Sequence, residues 1–311
     1  MREARARAAA HPRAPSAASA AHHAPTRTHK NTYACGRYAT AWKGWTWAKG
    51  GVDCNRHLEI VSNGAIPIFR NIRAVSPTTL FAYPKHLMAF FEDNKDDTDV
   101  RHLTMMRHFM LHWAHKHLSA PNAVAYMMRA ADHTAERLGL TPRFSGGGAS
   151  RAPRVAFIDS SLQQSPDYMS MLLLVGLVEK LGADSVDVFY PVPYMYEGGP
   201  DIDGRGQPLY GLGFGYRHLL ARPAAQPAHA EMLARLHAGA YDAAIWGSFT
   251  RCTSHFHEAE TVAAYNLQPH RLWLFDGHDS YSGWPAGPSG VWAHARLNAT
   301  VFVREHVLLP L

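Results

Sequence analysis

Residues 154–190 read RVAFIDSSLQQSPDYMSMLLLVGLVEKLGADSVDVFY, and this stretch decides the fold. It opens with RVAFID, a short apolar run rich in β-branched and aromatic residues, which reads as a buried strand. Residues 167–181 then carry a helix, closed by Gly182, a residue type that supplies the left-handed cap at little steric cost. SVDVFY at 185–190 is a second strand, stopped by Pro191. Strand, helix and strand at this spacing predict two parallel strands joined by a crossover.

Working outward, the alternation continues toward the C-terminus. Residues 229–237 read as a helix followed by Gly239, then YDAAIWG carries a strand at 243–246, RLWLF one at 271–275 and TVFV one at 300–303. The expected class is therefore α/β, with Rossmann-like parallel sheets of the doubly wound kind. The segment 191–215, rich in Gly, Pro and Tyr, is a long connection of the sort that usually carries a function or is disordered.

Upstream, residues 142–153 (PRFSGGGASRAP) read as a flexible linker, and residues 31–141 as a first α/β unit. Its best-marked feature is a turn. Trp45–Trp47 leads into Ala48-Lys49-Gly50-Gly51, Asp53 offers a helix N-cap, 54–62 is helical in pattern, Gly64 supplies the C-cap and Ile66-Pro67-Ile68-Phe69 resumes as a strand. Further helices are expected near 85–91, 99–118 and 122–138.

The 311 residues are 47% hydrophobic, enough for a substantial core and about two domains. The net charge of +6 owes much to residues 1–30, which are rich in Ala, Arg and His with Glu3 as their one acid. That segment lacks the apolar centre of a secretory signal; it reads as a disordered leader or as an organelle transit peptide, and the compartment, cytoplasmic or organellar, stays open. No apolar run reaches 18 residues, so no transmembrane segment is expected. No basic patch interleaved with aromatics points to nucleic acid. Cys35, Cys54 and Cys252 form no CxxC pair, which argues against a disulfide scaffold or a structural zinc site.

The chemistry concentrates in 49–69, KGGVDCNRHLEIVSNGAIPIF. Two glycines precede a helix N-terminus, where unpaired amides and the positive dipole end favour a diphosphate. Lys49 and Arg56 add positive charge. Glu59, three residues after Arg56, shares its face and is a carboxylate for ribose or sugar hydroxyls. The plainer reading is a surface ion pair Arg56–Glu59, worth about 0.2–0.5 kcal/mol. The stretch is not a Walker loop.

Residues 38–69, with Pro77-Thr78-Thr79-Leu80 and Tyr83-Pro84-Lys85, resemble a glycosyltransferase-like family of the GT-B class. The resemblance rests on Lys49, Gly51, Asp53, Cys54, Arg56, His57, Glu59, Ile60, Gly64, Ile66, Pro67 and Phe69. Val52 and Leu58 depart from it, standing where Trp and Tyr are usual. The resemblance implies donor binding by Lys49, Gly50, Gly51, Asp53, Arg56, His57, Glu59 and Gly64. Asp167-Tyr168, Gly176-Leu177, 210–214, Tyr241-Asp242, Asp276-Gly277-His278-Asp279 and Arg304-Glu305 are similar to the other half of the same family, which there comes first. Reversed order fits a circular permutation, a fragment spanning two tandem copies, or a misassembled reading frame.

The implied activity is transfer of a sugar from a nucleotide-diphospho-sugar to a glycan or other hydroxyl acceptor, with no cofactor required. A non-catalytic nucleotide-sugar-binding or remnant protein of the same fold is the alternative. Asp276, His278 and Asp279, just after the RLWLF strand, are candidates for the acceptor side or the base; a tight Asp/Gly turn is the plainer reading. Asp201-Ile202-Asp203 matches a metal-binding D-x-D in only three residues, and no metal is expected. His108, His112 and His115 share one helical stripe, read as a solvated face. Ser160, Ser161 and Ser248 lack a nucleophile elbow, Cys252 near His255 and His257 carries little weight, and Trp42, Trp45 and Trp47 suit core packing or sugar stacking.

Overall fold

A computed structural model describes residues 38–47, 55–77, 79–80, 82–144, 152–163, 167–202, 206, 209, 216–223, 225–247, 269–276 and 299–303. Their architecture is α/β, with two parallel sheets.

The smaller sheet pairs β1 (Lys43–Thr46) with β2 (Ile66–Phe69) in parallel, Lys43 opposite Ile66 and Thr46 opposite Phe69. Helix α1 (Asn55–Ser62) lies between them in the chain. Alternation along β1 sets its two faces: Gly44 and Thr46 are buried, Trp45 is exposed. The buried side meets α1. A Cβ on Gly44 would stand 2.8 Å from Ile60 Cγ2, so the close approach of strand and helix requires glycine there. Gly64, at φ +77°, ends α1: its amide bonds Val61 O at 2.9 Å and the Ala65 amide bonds Ile60 O at 3.0 Å, the double bond of a Schellman cap.

Every residue of β2 is buried. Ile66 and Ile68 pack with Val61, Phe91, Leu103, Met106 and Met110, from α1, α2 (Lys85–Asp93) and α3 (Val100–Trp113). Each such buried aliphatic side chain is worth about 1.5–3 kcal/mol. Asp99 caps α3, its carboxylate accepting from the Arg101 amide. The sequence predicts one helix through 118; the α-helix instead stops at Trp113 and widens into a π-turn, Ala114–Leu118. Asn122 Nδ2 donates to the His115 and Lys116 carbonyls, both at 3.0 Å, supplying partners that a wide turn leaves short.

The larger sheet has the order β4-β3-β5-β6-β7, all parallel, from β3 (Val155–Ile158), β4 (Val186–Val188), β5 (Ala243–Trp246), β6 (Leu272–Asp276) and β7 (Thr300–Val303). Alternate residues enter two separate cores. Val155, Phe157, Ala243, Ile245, Trp273 and Phe275 pack on α4 (Ala120–Arg137) and α5 (Tyr168–Leu181). Ala156, Ile158, Ala244, Trp246, Leu272 and Leu274 pack with Met232 and Leu236 of α6 (His229–His237). Both faces are covered, which is why these strands read as continuous apolar runs. Counted along the unit, the strand order is 2-1-3-4-5, with its reversal point between β3 and β5.

Helix α4, read from sequence with the first unit, thus contributes Val124, Met127, Met128 and Ala131 to the larger sheet's core. The start of the Gly/Ser/Pro linker is pinned there as well. The amides of Arg143 and Phe144 donate to Asp132, Arg143 pairs with buried Asp242, and the Phe144 ring packs 5.1 Å from Trp273.

Candidate functional site

The residues singled out in 49–64 divide on inspection. Lys49, Gly50, Gly51 and Asp53 lie outside the described residues. His57 is fully buried: its Nδ1 sits 2.9 Å from Thr46 Oγ1, and its ring packs 5.1 Å from Phe69 and 6.2 Å from Tyr83. It ties α1 to the strands and presents no surface to a ligand. Gly64 is the cap at the far end of α1, about 12 Å from the helix start, and its carbonyl accepts from Arg107. The backbone role explains that glycine without a ligand.

Arg56 and Glu59 remain. They do not form the expected i,i+3 ion pair. The Arg56 guanidinium lies 5.4 Å from the centre of the Trp47 ring, while Glu59 accepts from Asn55 Nδ2 at 2.9 Å. Burial pushes the Glu59 carboxyl above its ordinary range, opposed by the Arg56 charge and the Asn55 bond.

Across β1 from α1 opens a groove of about 930 Å³, lined by Trp45, Trp47, Arg70, Asn71, Arg73, Ala74, Glu92, Asp93 and Lys95. It sits where β1 and β2 end: the Arg70 amide bonds Thr46 O at 3.0 Å, one step beyond the last strand pair. Alternation aims Trp45 and Trp47 to one side, 52% and 48% exposed.

The charges of this groove are unequally engaged. Asp93 is taken by Arg73 in a two-pronged pair at 3.0 and 2.6 Å, which holds the Asp93 carboxyl below its ordinary range. Glu92 accepts from the amides of Asn71 at 2.6 Å and Ile72 at 3.3 Å. Lys95 pairs with Asp96, outside the lining. Arg70 is exposed and its guanidinium has no partner among the described residues. The groove thus offers two exposed indole faces and, in Arg70, one guanidinium without an acid partner among the described residues.

No protein-family model, curated protein or solved structure matches this chain.

Asp276 closes β6, opposite Val303, at the carboxyl edge of the larger sheet; His278 and Asp279 lie outside the described residues. The structure therefore places Asp276 and the Arg56–Glu59 turn on different sheets. Asp201 is paired with Arg217 at 3.0 Å and lies 3.3 Å from His218 Nε2, so its carboxylate already carries a cationic partner; Asp203 is outside the described residues. His108, His112 and His115 are exposed, as a solvated face requires, and among the described residues no group of three or more His, Cys, Asp or Glu could hold a metal. Ser161 donates to Asp159 at 2.6 Å and Ser160 is buried; Ser248, Cys252, His255 and His257 lie outside the described residues. No helix among the described residues is long and apolar enough to cross a membrane.

Arg70, Asn71, Arg73 and Lys95 escaped the reading of the sequence. The available signal was the position of Arg70, directly after a strand parallel to the Trp45–Trp47 segment, because ligands in open α/β sheets bind beyond the carboxyl ends of strands.

Proposed function

We propose that this chain is a glycosyltransferase of GT-B-like, Rossmann-like organisation, which binds a nucleotide-diphospho-sugar at the carboxyl ends of β1 and β2 and transfers its sugar to a hydroxyl acceptor. One observation carries the reading: the groove there combines two exposed indoles with uncommitted positive charge. A nucleotide sugar is flat rings joined by a diphosphate, and those are the two chemistries on offer. The likeness of 38–69 to glycosyltransferases supports the same assignment.

In this reading Arg56, resting on Trp47, and the first turn of α1 face the diphosphate, which gains charge as the glycosidic bond breaks and is stabilised by fixed cations. Lys49, Gly50 and Gly51, just before α1 in the sequence, are the further candidates for that role by resemblance, and Glu59 takes hydroxyls of the ribose or sugar. Asp276, His278 and Asp279 serve the acceptor side. No metal or other cofactor is required.

Thermal unfolding of the purified chain with uridine, guanosine and adenosine diphospho-sugars tests the assignment. Protection by a sugar nucleotide, accompanied by donor hydrolysis or transfer, is expected. Protection without turnover assigns a non-catalytic sugar-nucleotide-binding protein of the same fold. Failure of every sugar nucleotide to protect refutes both.

A further inference from the structure

Arg70 stands next to a bend that a side chain from α2 holds in place. Asn71, its neighbour, is in the left-handed region at φ 61°, and no side-chain bond caps the short helix that it opens. Asn reaches that region more readily than other non-glycine residues, still at some cost relative to glycine. Here the Glu92 carboxylate offsets it, receiving the Asn71 amide on Oε1 at 2.6 Å and the Ile72 amide on Oε2 at 3.3 Å. Glu92 projects from α2, whose buried Met88, Ala89 and Phe91 anchor it to the core. The bend is therefore fixed by a rigid element, and Arg70 leaves it toward the groove.

Resting on the groove assignment above, we propose that Arg70 is a diphosphate-binding residue and that Glu92 is a positioning residue that aims it. A guanidinium presents a planar fork of donors that matches two phosphate oxygens, and such a fork is effective when its backbone is preorganised. Arg73 cannot substitute, because Asp93 occupies its fork.

The position of Glu92 in the groove wall makes the test sharp. Glu92→Gln deletes a negative charge beside the site. If Glu92 acts by charge alone, an anion binds the variant more tightly. If it aims Arg70, binding weakens, because a carboxamide has an NH2 donor where Glu92 has its second accepting oxygen, so the two amides can no longer bond separate oxygens. The probe is inorganic pyrophosphate, titrated by calorimetry against the full chain, with a sugar nucleotide in parallel.

Arg70→Ala and Glu92→Gln are each expected to weaken pyrophosphate by about tenfold or more, the scale of a charged hydrogen bond. Arg70→Lys is expected to fall between, having charge without the fork. Adding Asn71→Gly to Glu92→Gln is expected to restore much of the affinity, since glycine takes the left-handed bend unaided. That rescue is not expected if Glu92→Gln merely loosens the fold. Wild-type binding with unchanged or tighter binding by Glu92→Gln overturns the positioning role, and unchanged binding by Arg70→Ala overturns the phosphate role. If the wild-type chain binds neither probe, the groove assignment itself fails.

Discussion

Helices α4 and α5 touch at Gly176, and the contact is tight enough to predict a number. An added Cβ would stand 2.3 Å from the Ala120 carbonyl oxygen, 2.7 Å from its carbon and 2.7 Å from Val124 Cγ2. Two of those atoms are backbone, so no rotamer change relieves the collision. Ordinary contact demands that the helices part by about 1 Å, which forfeits a quarter to a half of the dispersion attraction across the opened rows. In an isolated helix Gly→Ala is favourable by about 1 kcal/mol. Overpacking costs about 1–3 kcal/mol and occasionally more, here at the upper end because Val124, Met127, Met128 and Ala131 all share the α4 face involved. Gly176→Ala is therefore expected to destabilise by about 2 kcal/mol net, lowering the melting temperature by roughly 4–8 °C. Urea unfolding followed by tryptophan fluorescence reads the same loss as a lower midpoint. Gly182→Ala is the comparison: its backbone sits at φ +87° with nothing within 4 Å of the new Cβ, so only local strain, about 1 kcal/mol or more, opposes it. A Gly176→Ala protein as stable as wild type, or more so, refutes the close α4–α5 packing.

Two further outcomes follow from buried charge. Asp242, 2% exposed, accepts from Arg143 Nε at 3.0 Å and from the Arg154 amide at 2.9 Å; Asp242→Ala is expected to cost on the order of 3 kcal/mol, read as a lower urea midpoint, and a change below 1 kcal/mol would contradict the described network. Glu59 has a folded-state pKa above its ordinary value, burial being the largest cause, so the folded form holds its proton longer than the unfolded one; stability attributable to this group is greatest below the ordinary carboxylate range and declines as pH rises through the raised value. Glu59→Gln keeps an acceptor for Asn55 and is expected to flatten that segment of the pH–stability curve and to stabilise at neutral pH, and a curve unchanged by the substitution would count against the burial of the carboxylate.

Where periodicity is strong, the residues announce their elements. VAFI, AAIW and LWLF are apolar on both sides and became strands buried on both faces. Gly64 and Asp167 marked a helix end and a helix start, and the structure gives each the expected hydrogen bonds. Local pattern does not encode which sheet a helix joins: the apolar face of α4 meets Gly176 and the core of the larger sheet, residues far from it in sequence. The same limit governed the site. His57 is a donor-binding candidate through the resemblance, yet a helical turn of 100° per residue sends it inward to Thr46. Arg70 and Glu92 are 22 positions apart and meet at one bend, a relation that spacing cannot reveal.

The carboxyl edges of the two sheets differ in how their charged groups are engaged. The larger sheet is the more regular, and its order reversal between β3 and β5 is where an α/β crevice opens. Yet the groups there are already satisfied by acids. The amides at the start of α5, those of Met169 and Ser170, are taken by Asp167, and Asp159, 1% exposed, receives Ser161 and Ser170 hydroxyls. Gly247 passes so close that a Cβ would stand 2.7 Å from Asp159 Oδ2. Among the described residues, a phosphate placed beside Asp159 would face a buried carboxylate while the Met169 and Ser170 amides are bonded to Asp167, a repulsion that low dielectric strengthens. A neutral hydroxyl, by contrast, can donate to such an edge. In the smaller sheet Asp93 is paired with Arg73, Glu92 accepts the Asn71 and Ile72 amides, and Arg70 has no partner among the described residues. Under the function proposed above, a donor carrying a diphosphate is therefore favoured at the ends of β1 and β2 over the edge beside Asp159.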